Sequence, residues 1–214
     1  MEQIEPRAVH VLMLDSMADW EVGYAIAGIN QPMYQATPGR YEIRTVGLTA
    51  NPVRTMGGMT ILPDMTVDEL EAVDSAMLIL PGAIAWEEEQ AAAVGKAREF
   101  LEAGVPVAAI CGATLGLARG GLLDDRPHTS NAREYLETAL EYKGARHYIA
   151  APAVADGDLI TATATAPVDF ARRVFERLEL YEPPVLDAWY SLYSTGDPSA
   201  FYKLMAASAG PKGA

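Results

Sequence analysis

The sequence predicts an α/β protein with a doubly wound, mostly parallel sheet, helices on both of its faces and a C-terminal helical extension. Three observations support this prediction. Short apolar runs typical of strands buried on both faces recur along the chain. Helical segments lie between these runs, and each run ends in a polar or glycine-containing turn. The 214 residues suit one large α/β domain better than two compact ones.

The first half of the chain supplies three core strands and their connections. The predicted elements are a strand at 9–14, a helix at 20–29 with Asp19 as a plausible N-cap, a strand at 41–46, a hairpin at 53–62, a short helical stretch at 67–70 and a strand at 76–80. Glycines at 57 and 58 mark the hairpin turn. A long amphipathic helix is predicted from 87 to 103 and ends at Gly104.

The second half continues the alternation and then changes character. Its predicted elements are a strand at 107–110, a short buried helix that ends at Gly120, a helix at 133–140, two strands joined by a tight turn within 153–163 and a helix at 167–178. Two aromatic-rich helical segments follow, at 186–193 and 200–207. Solvated, they would expose a large apolar patch. We therefore divide the chain into an α/β domain, 1–180, and an extension, 181–214, that packs on the domain or on a dimer mate, with only 210–214 expected to be disordered.

Composition excludes several classes of function. The formal net charge is −13 and the sequence pI is near 4.6, which argues against nucleic acid or an anionic membrane as a partner. A single cysteine allows no intramolecular disulfide and no cysteine-based zinc site, and the three histidines show no metal-ligand spacing. We expect neither a metal nor a cofactor. No leader-like start and no apolar run of about 20 residues is present, so we expect a cytoplasmic protein.

The single cysteine lies at a strand-to-helix junction. Cys111 follows the apolar run 107–110 and precedes Gly112, the pattern of a nucleophile elbow. A helix N-terminus favours thiolate, so we expect a partly accessible thiol with a lowered pKa. The alternative is that Cys111 is a small buried hydrophobic residue, as most free cysteines are.

Two other segments, 15–21 and 81–86, also follow core strands of the predicted sheet. Ligands of such sheets bind beyond the carboxyl ends of the strands, so candidate site residues are sought in these segments. Glu21 is either a partner of the helix dipole or a carboxyl that reaches the sulfur. In the second case one of the two groups holds a proton, most usefully a protonated Glu21 that donates to the thiolate. The N–H groups of Gly82, Ala83 and Gly112 could form an oxyanion hole, although glycine at 82 also suits a plain turn.

Three further residues have two interpretations each. His128 could pair with Cys111, but a solvated loop histidine fits its polar surroundings better. His147 enters a predicted strand. Trp86 either forms a wall of the substrate pocket or caps the core.

Four stretches then identify a family. They are VHVLMLDSMADWE, AMLILPGAIAWEE, VPVAAICGATLGLARGGLLDDR and VADGDLITATATAPVDFA. With them the chain resembles the ThiJ/PfpI superfamily, which includes deglycases, intracellular proteases and isocyanide hydratases, and which has a flavodoxin-like, class I glutamine amidotransferase-like fold. The resemblance spans about residues 9–178. It implies Cys111 as the nucleophile, Glu21 as its acidic partner, and oxyanion amides at the positions already named.

The chain also departs from the family pattern. Protease-type members have a histidine where Gly112 stands, and deglycase-like members have one in the loop where this chain has Asn131. Ala83 replaces a second glycine. Without the histidine no base for a peptidase is obvious, whereas Asn131 could orient a substrate carbonyl or the thiolate. Asp19 and His128 complete the candidate supporting residues.

These features together predict a homodimeric, cysteine-dependent hydrolase or hydratase-like enzyme acting on a small carbonyl, amide or glyoxal-type substrate. One alternative is a redox-sensing stress-response protein whose Cys111 is oxidised to the sulfinate. Others are an intracellular peptidase or amidase, and a binding module with an unreactive cysteine.

Overall fold

The computed structural model describes residues 5–84, 86 and 91–208. Its strands are β1 (Arg7–Met13), β2 (Tyr41–Gly47), β3 (Val53–Arg54), β4 (Thr60–Ile61), β5 (Met65–Thr66), β6 (Ser75–Leu80), β7 (Val107–Ile110), β8 (Ala153–Asp156) and β9 (Leu159–Ala162). Seven strands form one sheet in the order β5-β2-β1-β6-β7-β9-β8, and β3 and β4 form a separate antiparallel hairpin. Every pair in the large sheet is parallel except β8–β9. The prediction of a mostly parallel sheet is confirmed.

Helices cover both faces of this sheet. They are α1 (Asp19–Asn30), α2 (Ala91–Glu102), α3 (Gly112–Arg119), α4 (Arg133–Leu136), α5 (Pro167–Leu178), α6 (Pro183–Thr195) and α7 (Pro198–Ser208). α1, α5, α6 and α7 form one packed group, and α2 and α3 belong to another. Because every residue of β6 and β7 is buried, the two groups must cover opposite faces.

The order of the strands locates the crevice. From β1 the chain moves outward to β2 and β5, then returns to the other side of β1 and continues through β6, β7 and β9. The order therefore reverses between β1 and β6, and the carboxyl ends of strands at such a reversal form the ligand crevice of open α/β sheets. The loops that follow β1, β6 and β7 meet there.

Some predicted elements are placed differently. Ala18, not Asp19, is the N-cap residue of α1, and the Asp19 carboxylate instead accepts the N–H of Gly57 in the β3–β4 hairpin at 2.6 Å. The helix predicted at 133–140 ends at Leu136, and His147 lies in a short 3₁₀ helix rather than a strand. The helix predicted from 87 is described from Ala91, because residues 87–90 lie outside the described part of the chain.

The aromatic extension packs on the helical layer formed by α1 and α5. Trp189 of α6 is 4% exposed, and its ring centroid lies 5.0 Å from that of Phe175 and 6.2 Å from that of Tyr24. Trp189 of α6 and Leu204 of α7 belong to the same buried hydrophobic cluster as the residues of the central strands. Residues 210–214, predicted to be disordered, lie outside the described residues. None of the described helices has the length and apolar composition needed to cross a membrane.

Candidate active site

Cys111 occupies a sharp turn between β7 and α3. Its backbone angles are φ 58° and ψ −124°, in a region that costs a non-glycine residue about 1–3 kcal/mol. Three backbone interactions hold it there. The Cys111 N–H donates to the Ala162 carbonyl at 3.0 Å, and the Cys111 carbonyl accepts the N–H and the hydroxyl of Thr114 at 3.1 and 2.6 Å. The thiol is half-buried at this turn. Because Cys111 lies between the end of β7 and the start of α3, the strand-to-helix geometry expected from the sequence is present.

Glu21 reaches the thiol from α1. The side chain is 1% exposed and hydrogen-bonds the Cys111 side chain. Its Oε2 accepts the N–H of Gly82 at 2.7 Å. A Cβ at position 82 would lie 2.7 Å from both the Cys111 Cβ and Glu21 Oε2. Glycine is therefore what lets the carboxyl and the thiol meet. The expectation that the Gly82 N–H contributes to an oxyanion hole is wrong, because that N–H is already donated to Glu21.

Asn131 also contacts the sulfur of Cys111. Its Nδ2 donates to Cys111 Sγ at 3.4 Å, and its Oδ1 accepts the N–H of Ala164 at 2.9 Å. The second bond fixes which end of the amide faces the thiol, because a backbone N–H must meet an oxygen. The sulfur therefore receives a neutral, non-titrating donor.

Two of the three amides considered for the oxyanion hole remain near the sulfur. The Gly112 N–H lowers the pKa of Cys111 and so lies close to its side chain, and no other described residue accepts that N–H in a backbone or side-chain hydrogen bond. No described residue accepts the N–H of Ala83. The two segments touch, since a Cβ on Gly112 would lie 3.1 Å from the Ala83 carbonyl oxygen and 3.5 Å from its nitrogen. Ala83 and Gly112 thus offer two neighbouring backbone donors.

The thiol is not of the low-pKa kind expected from its place at a helix N-terminus. Burial is the main cause that raises the pKa of Cys111 to about 11; Asn131 and Gly112 act in the opposite direction, and the charge and hydrogen bond of Glu21 add to the rise. Burial also raises the pKa of Glu21. Because the last proton of the pair leaves only near pH 11, the two groups together keep at least one proton at neutral pH.

Trp86 packs into the core. It is 4% exposed, and its indole N–H donates to the Pro81 carbonyl at 3.1 Å. The ring lies on α3, where a Cβ on Gly116 would be 2.5 Å from it. A cavity of about 550 Å³ adjoins the ring, but Arg119 and Glu141 line it and Cys111 does not. Of the two interpretations, the core one fits the contacts of the ring.

His128 is neither solvated nor a partner of the thiol. It is fully buried, and its ring nitrogens contact the Arg126 carbonyl at 2.8 Å and the Tyr142 hydroxyl at 2.6 Å. Burial lowers its pKa, so the ring is neutral at neutral pH. The hydrogen bonds of His10 and His147 are made to Ser75 and Arg146. Within the described ranges, no histidine is hydrogen-bonded to Cys111, and no group of three His, Cys, Asp or Glu could hold a metal ion.

Three residues near the thiol had no role in the sequence prediction. Thr114 and Ser130 share a hydrogen bond at 2.7 Å, and both are buried. Tyr135 is half-buried, and burial is the main cause that raises its pKa, to which ionisation of Cys111 or Glu21 would add. The sequence could have pointed to Thr114, because a hydroxyl three residues after the elbow can bond the backbone of the nucleophile. No sequence pattern pointed to Ser130 or Tyr135.

Comparison with known proteins shows the family to which the chain belongs. A model of the DJ-1/PfpI family matches residues 7–177. The chain is 38% identical over 205 residues to the uncharacterized protease YoaZ of Bacillus subtilis, covering 94% of this chain and 98% of that protein. It is 27% identical over 158 residues to the deglycase TK1284 of Thermococcus kodakarensis, covering 72% and 88%. A solved thiJ/pfpI family protein from Bacillus anthracis superposes with a TM-score of 0.90 at 37% identity, covering 96% and 99%.

Proposed function

Because the chain belongs to the DJ-1/PfpI family, we propose that it is a cysteine-dependent hydrolase or hydratase-like enzyme that acts on a small carbonyl, amide or glyoxal-type substrate. Relatives named as a protease and a deglycase support a hydrolase type of enzyme. The observation that carries the proposal is the strained Cys111 thiol bonded by both Glu21 and Asn131. A cytoplasmic homodimer is part of the proposal.

The reaction begins with addition of the sulfur to a carbonyl carbon. As the Sγ–C bond forms, the π electrons of the C=O group move to its oxygen, and the proton shared by the thiol and the carboxyl ends on Glu21. The new oxyanion accepts hydrogen bonds from the N–H groups of Ala83 and Gly112. Glu21 suits this step because burial raises the pKa of its carboxyl and so makes the carboxylate a stronger base.

Addition to an aldehyde is favoured over amide cleavage. An amide must expel an amine, and the amine needs a proton as it leaves. No histidine of the described chain bonds Cys111, so Glu21 alone would have to deliver that proton. An aldehyde such as methylglyoxal forms a thiohemiacetal without a leaving group. We therefore place glyoxal-type compounds first among the substrates.

Turnover by the purified chain tests the proposal. We expect loss of methylglyoxal with the wild type and none above background with Cys111→Ala, whose folding is checked by circular dichroism. A simple amide and a denatured protein substrate, assayed in parallel, separate aldehyde chemistry from amidase and peptidase activity. Equal rates for wild type and Cys111→Ala with all three substrates would contradict an enzymatic role.

The redox-sensor alternative has its own readout. Mass spectrometry after peroxide treatment would show whether Cys111 forms a sulfinate. Selective sulfinate formation without turnover of any substrate would favour the sensor. The raised pKa of the thiol opposes this outcome, because peroxide reacts with the thiolate.

A further inference from the structure

We propose that Thr114 and Ser130 are positioning residues, whose paired hydroxyls hold Asn131 against the sulfur of Cys111. The proposal deepens the proposed function, since it concerns the same thiol. It requires only that Cys111 be the reacting group and does not depend on which substrate is used.

The direction of the hydrogen bonds follows from proton counting. The Thr114 hydroxyl lies 2.6 Å from the Cys111 carbonyl oxygen, which can only accept, so the single Thr114 proton is donated there. Thr114 Oγ1 also lies 2.7 Å from Ser130 Oγ. The proton of that second bond must therefore come from Ser130. The result is a directed chain from Ser130 through Thr114 to the backbone of the nucleophile.

Both hydroxyls are shielded from water. Thr114 is 0% exposed and Ser130 is 2% exposed. A threonine hydroxyl that bonds the carbonyl three residues earlier is common in helices and would by itself be only local structure. The bond to Ser130 is different, because it joins two segments that are 16 residues apart. Leaving a buried hydroxyl without its partner is unfavourable, so the two segments are held together by this bond.

Segment 128–131 is tied to the sheet on one side and to the elbow on the other. On the sheet side, the Thr129 N–H donates to the Thr161 hydroxyl of β9 at 2.9 Å. On the elbow side, the side-chain hydrogen bonds among described residues are the Thr114–Ser130 pair and the Asn131–sulfur contact. Ser130 immediately precedes Asn131, so the hydroxyl pair holds the backbone from which the amide reaches Sγ, while the Ala164 N–H holds the amide oxygen.

Loss of the hydroxyl pair should therefore act on the thiol through Asn131. Thr114→Val removes the hydroxyl at nearly constant volume, Thr114→Ser keeps it, and Ser130→Ala breaks the pair while preserving the Thr114–Cys111 bond. The 214-residue chain contains one cysteine, so the iodoacetamide reaction rate against pH reports on Cys111 alone. We expect Thr114→Val and Ser130→Ala to slow alkylation at pH 8 by about threefold to tenfold, an upward shift of roughly 0.5–1 pKa unit, with Thr114→Ser near wild type.

A double variant separates positioning from general stability. If Thr114 acts through Asn131, Thr114→Val combined with Asn131→Ala shifts the alkylation profile no further than Asn131→Ala alone. Additive shifts would overturn the proposal, as would a lower melting temperature with an unchanged alkylation profile. Should Thr114→Val fail to fold, Ser130→Ala in the same cycle gives the same decision. Alkylation needs no substrate, so these results stand whether or not methylglyoxal is turned over.

Discussion

The Asn131 amide donates to the Cys111 sulfur at 3.4 Å, and the N–H of Ala164 locks that amide in place from behind. The donor lies in the loop where, by the resemblance drawn from the sequence, deglycase-like members have a histidine. An amide neither gains nor loses a proton in the physiological range. Proton transfer at this site is therefore left to the pair formed by Cys111 and Glu21.

Removing the Asn131 donor should raise the pKa of Cys111. The amide stabilises the thiolate, so Asn131→Ala shifts the alkylation profile to higher pH, and Asn131→Asp shifts it further by adding a negative charge. The measurement is the iodoacetamide rate at fixed pH values from 7 to 11, where a higher pKa lowers the thiolate fraction and slows alkylation. Asn51→Ala, on an exposed loop, serves as the control and should match the wild type. A lower inflection in Asn131→Ala would show that the amide does not favour the thiolate.

Replacing Glu21 should have the opposite effect. The charge of the carboxylate and its hydrogen bond to the thiol both raise the pKa of Cys111, so Glu21→Gln moves the inflection down from about 11. The thiol then alkylates faster at pH 8. Turnover falls in the same variant by about 10²–10⁴, because glutamine cannot accept the proton.

The combination of faster alkylation and slower turnover is what identifies Glu21 as the proton acceptor. Glu21→Leu provides the comparison, since it removes the hydrogen-bonding group as well as the charge. An unchanged profile in Glu21→Gln together with an upward shift in Glu21→Leu would place the proton on Glu21 and the negative charge on sulfur in the resting protein.

A methyl group at position 82 should disrupt the site. The added Cβ would lie 2.7 Å from the Cys111 Cβ and 2.9 Å from its Sγ, so Gly82→Ala forces the two side chains apart. We expect a loss of about 1–3 kcal/mol in unfolding free energy, measured by urea denaturation, together with loss of turnover. Gly95→Ala is the matched control, because no atom lies within 4 Å of its Cβ on the exposed side of α2. It should stabilise the helix by about 0.5–1 kcal/mol. Equal stabilities of the two variants would contradict the contact.

Truncation of Trp189 should show that the extension is part of the core. Its ring is buried against Phe175 and Tyr24, so Trp189→Ala costs about 3–5 kcal/mol of unfolding free energy. Tyr202→Ala, at a side chain 73% exposed on α7, should change it by less than about 0.5 kcal/mol. Sedimentation of both variants tests the proposed homodimer. A small effect of Trp189→Ala would mean that the extension contributes little to the stability of the domain.

Features encoded within a few neighbouring residues could be predicted from the sequence. The apolar run 107–110 followed by Cys111 and Gly112 predicted the elbow, and the paired glycines at 57 and 58 predicted the hairpin. Periodicity and turn residues act over one element, so these predictions required no knowledge of the neighbours.

Several features that depend on which elements meet were missed, although the approach of Glu21 to Cys111 was expected. Asp19 had the residue type of an N-cap, yet its carboxylate bonds Gly57 because the hairpin folds over the start of α1. His128 stands in a polar stretch but is buried under Tyr142. The pKa of Cys111 is likewise set by residues that are distant in the sequence. The local helix favours thiolate, whereas burial and a carboxyl 90 positions earlier in the chain raise the pKa.

The strand reversal between β1 and β6 means that the site has no precursor in a partly folded chain. Glu21, Gly82, Cys111 and Asn131 come from four separate passages of the chain, and they meet only after β1, β6 and β7 have paired side by side. Until then Cys111 is an ordinary thiol in water, which ionises more readily than the native one. A partly folded or unfolded molecule should therefore react with electrophiles faster than the native protein. The rate of nonspecific alkylation then reports how far formation of the sheet has advanced.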